Sequence, residues 1–165
     1  MSTSEQNGKP PALPENGKPR IILAVCSIKM EQAAMDTLVS ILQHQFFDAY
    51  IITRAALIPQ CRNKAIKTAY KHVANTKIPF THLLFVDDDM VNYSLDHVLQ
   101  LIEADKPVIS AMVTMRMPPY QLVNSFKDDS SEDILKYIKD GDIKETRHLG
   151  MAFTLIKREV LEDVV

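Results

Sequence analysis

Residues 81–94 read THLLFVDDDMVNYS: four apolar side chains, Leu83 to Val86, run directly into three carboxylates, Asp87, Asp88 and Asp89. Adjacent carboxylates repel, and charge left unpaired beside a core costs stability. Something positive is therefore expected there. Carboxylate oxygens suit a hard divalent cation, since magnesium and manganese take oxygen ligands and share them with substrate phosphates. Such an ion neutralises the charge that develops on a diphosphate leaving group. The plainer reading is a solvated acidic turn that caps the next helix. Arg62 and Asn63 add to the first reading, because they open a predicted helix, and both a helix N-terminus and a guanidinium attract anions. The plainer reading of Arg62 is a surface charge paired with a local acid.

These residues need elements to hold them. RIILAVCSI (20–28) is an apolar, β-branched run expected to be a buried strand, and DAYIIT (48–53) and HLLFV (82–86) are expected to follow as strands. MEQAAMDTLVSILQ (30–43) sets Ala34, Leu38, Ile41 and Leu42 on one helical face. IPQCRNKAIKTAYKHVAN (58–75) opens with Pro59, which suits a first turn, and carries the stripe Ala65, Ile66, Ala69, Tyr70 and Val73. SLDHVLQLIEAD (94–105) is expected to be a helix capped by Ser94, with Val98, Leu99 and Ile102 inward. A fourth strand is expected over 106–115 and a loop over 116–120. A short polar helix over 130–141 should stop at Gly141. RHLGMAFTLIKREVLEDVV (147–165) reads as one strand leading into a helix that starts near Lys157. Strands alternating with helices predict an α/β fold with a mostly parallel central sheet flanked by helices. Ligands of such sheets bind off the carboxyl ends of strands, which is where the aspartates fall.

The bulk composition is that of an ordinary globular chain: 165 residues, 46% hydrophobic, 24% charged, net charge −2. The charge balance gives no sign of specific nucleic-acid binding. Cys26 and Cys61 lack the spacing of a zinc site and are too few for a disulfide framework, which fits a reducing, cytoplasmic setting. Residues 1–19, rich in Pro and Gly, carry no apolar signal-peptide core and are expected to be a disordered leader to a single domain over 20–165. No apolar run approaches the roughly 20 residues a membrane helix requires.

Four segments in order, IPQCRNKAIKTAY, THLLFVDDDMV, KPVISAMVTMRMPPY and HLGMAFTLIKREVLEDV, together resemble the GT-A glycosyltransferases that use nucleotide-diphosphate sugars. The resemblance spans roughly residues 20–165. Its most specific part is Arg-Asn opening a helix before a strand that ends in DDD, followed by G-x-x-x-x-L-I-K-R-E-V. It implies a GT-A (Rossmann-like) fold and a DxD-type motif. The implied cofactor is Mn²⁺ or Mg²⁺, and the implied donor a UDP- or GDP-sugar. The acceptor is a hydroxyl of an unidentified glycan, lipid, protein or small molecule. By position, Val25, Cys26 and Ser27 would border the nucleotide base. Arg62 and Asn63 would lie by the diphosphate or donor sugar. Asp87 or Asp88 would bind ribose or sugar hydroxyls. Asp89 would be the direct metal ligand, with Asp87 as the second metal-site carboxylate. Arg116 would approach the donor or acceptor. Gly150, with Met151 and Ala152, would form the close-approach point under the acceptor. Each has a structural alternative: Ser27 as a strand end, Arg116 as a surface charge, Gly150 as a turn residue. His82 and His148 are expected in structural or solvated roles, and the methionines mainly as core filler, with Met112, Met115 and Met117 near the expected cleft.

The family usually continues past this last helix into a region that supplies an acidic base, often in a Glu-Asp pair, and a metal-site His. Glu162 and Asp163 fall inside the predicted helix instead, so no catalytic base is assigned. A short or missing acceptor part is expected. Asp128, Asp129, Glu132 and Asp133 are the substitute carboxylates in view, in an insert that reads more simply as a solvated loop and helix. Two alternatives to a transferase stand: a non-catalytic nucleotide-sugar binder, and a metal-dependent phosphotransferase or phosphohydrolase. DDDMVNYS fits haloacid-dehalogenase-like enzymes poorly, a P-loop is absent, and the first strand lacks the acid pair of a receiver domain. Val164 and Val165, apolar and terminal, suggest a homo-oligomer contact.

Overall fold

A computed structural model describes residues 18–114, 118, 122–123, 125–126 and 141–162. The first strand, β1 (Ile21–Cys26), is buried along its whole length. It lies between β2 (Ala49–Thr53) and β3 (His82–Asp87), parallel to both. That position explains its unbroken apolar sequence, since a central parallel strand is covered on both faces. Two further strands, β4 (Val108–Ser110) and β7 (Phe153–Lys157), complete a sheet of order β2-β1-β3-β7-β4. The sheet is mostly parallel, as expected, but β7 enters antiparallel between β3 and β4.

Alternation along β1 builds two cores. Ile21, Leu23 and Val25 face helices α1 (Gln32–Leu42) and α3 (Leu95–Glu103), meeting Leu38, Ile41, Val98 and Leu101. Ile22, Ala24 and Cys26 face α2 (Ile58–Thr76), meeting Cys61, Ala65 and Ala69, with Leu161 of α4 (Arg158–Glu162) in the same cluster. The i, i+4, i+7 spacing of Ala34, Leu38 and Ile41 makes the buried stripe of α1. The small side chains of Ala65 and Ala69 let α2 lie close to the sheet. In α3 the inward residues are Val98, Leu99 and Leu101, while Ile102, expected inward, is only half-buried. Ser94 does cap α3, and the His97 ring reaches back to its backbone N–H at 3.0 Å.

Two expectations change. The strand over 106–115 is only three residues long. After Ala111, whose N–H still reaches the Phe153 carbonyl, the chain turns into an isolated Thr114–Leu122 bridge. The single strand expected over 147–157 is two. β6 (Thr146–His148) pairs with β5 (Ser125–Phe126) in a separate two-stranded sheet, and β7 begins only at Phe153. The break sits at Gly150, whose buried carbonyl accepts the hydroxyls of Ser110 (2.7 Å) and Thr154 (3.2 Å) instead of continuing a ladder. Gly141 takes a left-handed φ of +87°, while the helix expected to end there lies outside the described residues. Residues 1–17 of the expected leader, Met115, Arg116, Met117, residues 127–140 with their acids, Asp163, Val164 and Val165 lie outside the described residues.

Candidate functional site

β1 and β3 run in register, with Cys26 opposite Asp87, so both strands end at the same edge of the sheet. A cleft of about 150 Å³ opens there, lined by Cys26, Ser27, Ile28, Ala55, Ile58, Cys61, Asp87, Asp88 and Asp89. All three aspartates reach it. So do the end of β1, the β2–α2 connection and the first turn of α2.

The floor is fastened by Thr53. Its carbonyl accepts the Ser27 N–H (2.9 Å) and the Cys61 thiol (3.0 Å), while its buried hydroxyl donates to the Cys61 carbonyl (3.1 Å). These bonds bring β1, β2 and α2 to one point and leave the buried polar groups satisfied. Cys26 and Cys61 are both buried free thiols. Burial, and then the neighbouring Cys61, push the Cys26 thiol up to about 12, so it stays protonated and inert.

The three carboxylates differ in their surroundings. Asp87 faces the Arg62 guanidinium, with Nη2 at 3.1 Å from Oδ1 and 3.3 Å from Oδ2. Its pKa is nonetheless raised. Burial is the largest cause, Asp89 and Asp88 push the same way, and Arg62 pulls against them without winning. Asp88 turns the other way: its Oδ2 accepts the backbone N–H groups of Ile28 (2.8 Å) and Lys29 (3.0 Å), tying the loop after β1 to the end of β3. Asp89 is exposed at the cleft.

Arg62 thus lies against Asp87, and its buried Nε meets no acceptor among the described residues. Asn63 is exposed and is not among the residues lining the cleft. Ser27 is buried in the cleft wall, at the end of β1. Gly150 is buried in the turn before β7. Because β7 runs antiparallel to β3, that turn abuts the acidic strand end, and the Asp87 N–H donates to the Ala152 carbonyl at 2.9 Å. Ser27, Arg62, Asp87, Asp88, Asp89 and the turn 150–152 therefore share one edge. His82 lies at the opposite end of β3, and the His148 ring contacts the Ser125 hydroxyl at 2.8 Å.

Among the described residues, no three His, Cys, Asp or Glu side chains stand together as a ready metal cage. Besides the buried thiols of Cys26 and Cys61, the donors at the cleft are carboxylate oxygens, which fit magnesium or manganese. Such ions commonly keep waters and take phosphate oxygens alongside one or two protein carboxylates. The sequence reading missed Ile28, Ala55 and Ile58 as cleft walls and the backbone N–H pair held by Asp88. The apolar residues after each strand carried no polar signal that would have singled them out.

No family model matches the chain, and no curated protein matches it. Among solved structures it is similar to A197 from STIV, with a TM-score of 0.58 and 19% identity over 88% of this chain and 69% of that one. It also matches 4-diphosphocytidyl-2C-methyl-D-erythritol synthase from Anaerococcus prevotii DSM 20548, with a TM-score of 0.46 and 8% identity over 88% of this chain and 74% of that one. At 19% identity the first likeness speaks for the mixed α/β fold alone, and the second carries no weight. No helix among the described residues is long and apolar enough to cross a membrane.

Proposed function

We propose that the chain is a GT-A-type glycosyltransferase domain that binds a nucleotide-diphosphate sugar and a divalent cation at the carboxyl edge of its sheet. One observation carries the reading: three consecutive carboxylates and the end of β1 line a single cleft there, which is where open α/β sheets bind ligands. The sequence resemblance supplies the reaction class.

In this reading Asp89, exposed at the cleft, holds Mn²⁺ or Mg²⁺, with Asp87 beside it. The ion supplies charge stabilisation for the departing nucleoside diphosphate. Arg62 keeps the Asp87 carboxylate oriented and adds positive charge behind the site. Asp88 fixes the loop after β1 through two backbone N–H bonds, so the wall formed by Ser27 and Ile28 is set before the donor arrives. The acceptor hydroxyl attacks the anomeric carbon, the bond from that carbon to the diphosphate oxygen breaks, and the diphosphate leaves. An inverting reaction also needs a general base to take the acceptor's proton. The turn at 150–152 adjoins the acidic edge and is the acceptor-side candidate.

The test is release of UDP or GDP from a panel of UDP- and GDP-sugars in the presence of Mn²⁺. Metal-dependent release that disappears in Asp89→Ala supports the transferase. Tight donor binding with no release, with any acceptor class offered, would favour a nucleotide-sugar binder instead.

A further inference from the structure

The chain carries a net charge of −2, yet its longest helix among the described residues holds no acidic residue. Over its 19 residues α2 has Arg62, Lys64, Lys67 and Lys71 and neither Asp nor Glu. Arg62 turns inward to Asp87. Lys64, Lys67 and Lys71 are exposed, and none of them makes an ion pair with a described residue. At i, i+3 and i+7 they fall within about 60° of one another around the helix axis. Glu162 of the neighbouring α4, whose charge is felt at Tyr70 of this helix, is already held by Arg158 at 2.7 Å. Like charges grouped without local partners lower stability through repulsion, and no ion pair among the described residues compensates this row.

We propose that the solvent face of α2 docks on a bilayer that bears anionic lipid headgroups. Charge complementarity is the argument: three lysines set along about 10 Å of one exposed face of α2 match a flat sheet of negative charge. Two observations favour lipid over nucleic acid. Apolar side chains stand exposed just outside both ends of the helix, Leu57 before its start and Ile78 past its end, where they can enter the headgroup layer. No exposed aromatic ring interleaves the lysines to stack on bases, since the helix's Tyr70 packs edge-on against Phe80 and under Arg158. The inference does not rest on the donor-site reading: α2 would hold the cleft near a membrane whatever the cleft binds.

The experiment is co-sedimentation of the full chain with phosphatidylcholine vesicles, with and without phosphatidylglycerol, at low and high salt and without nucleotide or metal. Binding is expected only to the anionic vesicles and is expected to fall at about 0.5 M salt, where screening shortens the range of surface charge. Lys64→Gln/Lys67→Gln/Lys71→Gln should weaken it on the order of 100-fold. The variant's circular dichroism should match the wild type, because these side chains touch no core; Lys64→Ala/Lys71→Ala serves if the triple variant misfolds. Equal binding to neutral vesicles, undiminished binding by the variants, or tighter binding to a duplex oligonucleotide than to anionic vesicles would overturn the proposal.

Discussion

The two ends of the central sheet treat charge in opposite ways. At the amino end of β1 and β3, charged groups pair off: Arg20 with Asp48 at 2.6 Å, Lys157 with Asp105 at 2.7 Å, Arg158 with Glu162 at 2.7 Å. The Asp105 carboxyl is held below its usual range, first by its hydrogen bond to Lys157 and then by that residue's charge. At the carboxyl end, three like charges crowd one cleft, and the Asp87 carboxyl is pushed up by burial in spite of Arg62. One end is arranged for the fold. The other crowds like charges where burial disfavours the Asp87 carboxylate, a cost that the cation of the proposed function would relieve.

Substitutions at the two ends should therefore separate binding from stability. The largest expected effect is at Asp89. Asp89→Ala should weaken metal-dependent nucleotide binding by about 100-fold, equivalent to about 2.8 kcal/mol. Its urea-unfolding stability should shift by less than about 1 kcal/mol. Next is Arg62→Ala, which leaves the half-buried Asp87 carboxylate without its counter-charge. A loss of about 2 kcal/mol is expected, somewhat below the range for fully buried pairs. Asp87→Asn in the Arg62→Ala background should recover part of it in a double-mutant cycle.

Asp88→Ala releases the N–H groups of Ile28 and Lys29 and should cost about 1–2 kcal/mol. Asp88→Asn, which keeps an acceptor oxygen, should cost less by the same unfolding assay. At the opposite end, Arg20→Ala removes a partly exposed pair and should cost about 0.5–1 kcal/mol with donor binding unchanged. A binding loss there as large as at Asp89 would erase the distinction between the two ends.

The smallest effect is a pH dependence at that same end. Burial, followed by the Lys157 charge, lowers the His82 pKa below its ordinary 6.5. The unfolded chain then takes up a proton that the folded chain resists. Stability from this residue is present above about pH 6.5 and is lost as pH falls through the folded value. Urea midpoints at pH 7.5 and pH 5.5 should differ, and His82→Gln should shrink the difference.

Much of this layout is readable in the residues. The bounds of β1, β2, β3, α1, α2 and α3 fall within two residues of the expected ones, because each has a strong periodicity or a local signal such as Pro59 or Ser94. The placement of three aspartates at a strand end follows from β3 alone. What sequence leaves out depends on partners far along the chain. The insertion of β7 between β3 and β4 rests on pairings such as Phe85 with Thr154, and the break at Gly150 on a hydroxyl 40 residues away at Ser110. The division of labour among the aspartates has the same origin. Asp87 is claimed by Arg62, 25 residues earlier, and Asp88 by N–H groups 60 and 59 residues earlier. Three adjacent identical residues read alike until those partners are in place.

The measurement that bears most directly on the carboxyl edge is calorimetric titration of UDP and GDP, with and without Mn²⁺, on wild type and Asp89→Ala. The account predicts that one nucleotide binds the wild type only with Mn²⁺ and that the substitution abolishes the heat. No binding by the wild type under any of these conditions, or metal-independent binding that survives Asp89→Ala, would contradict it.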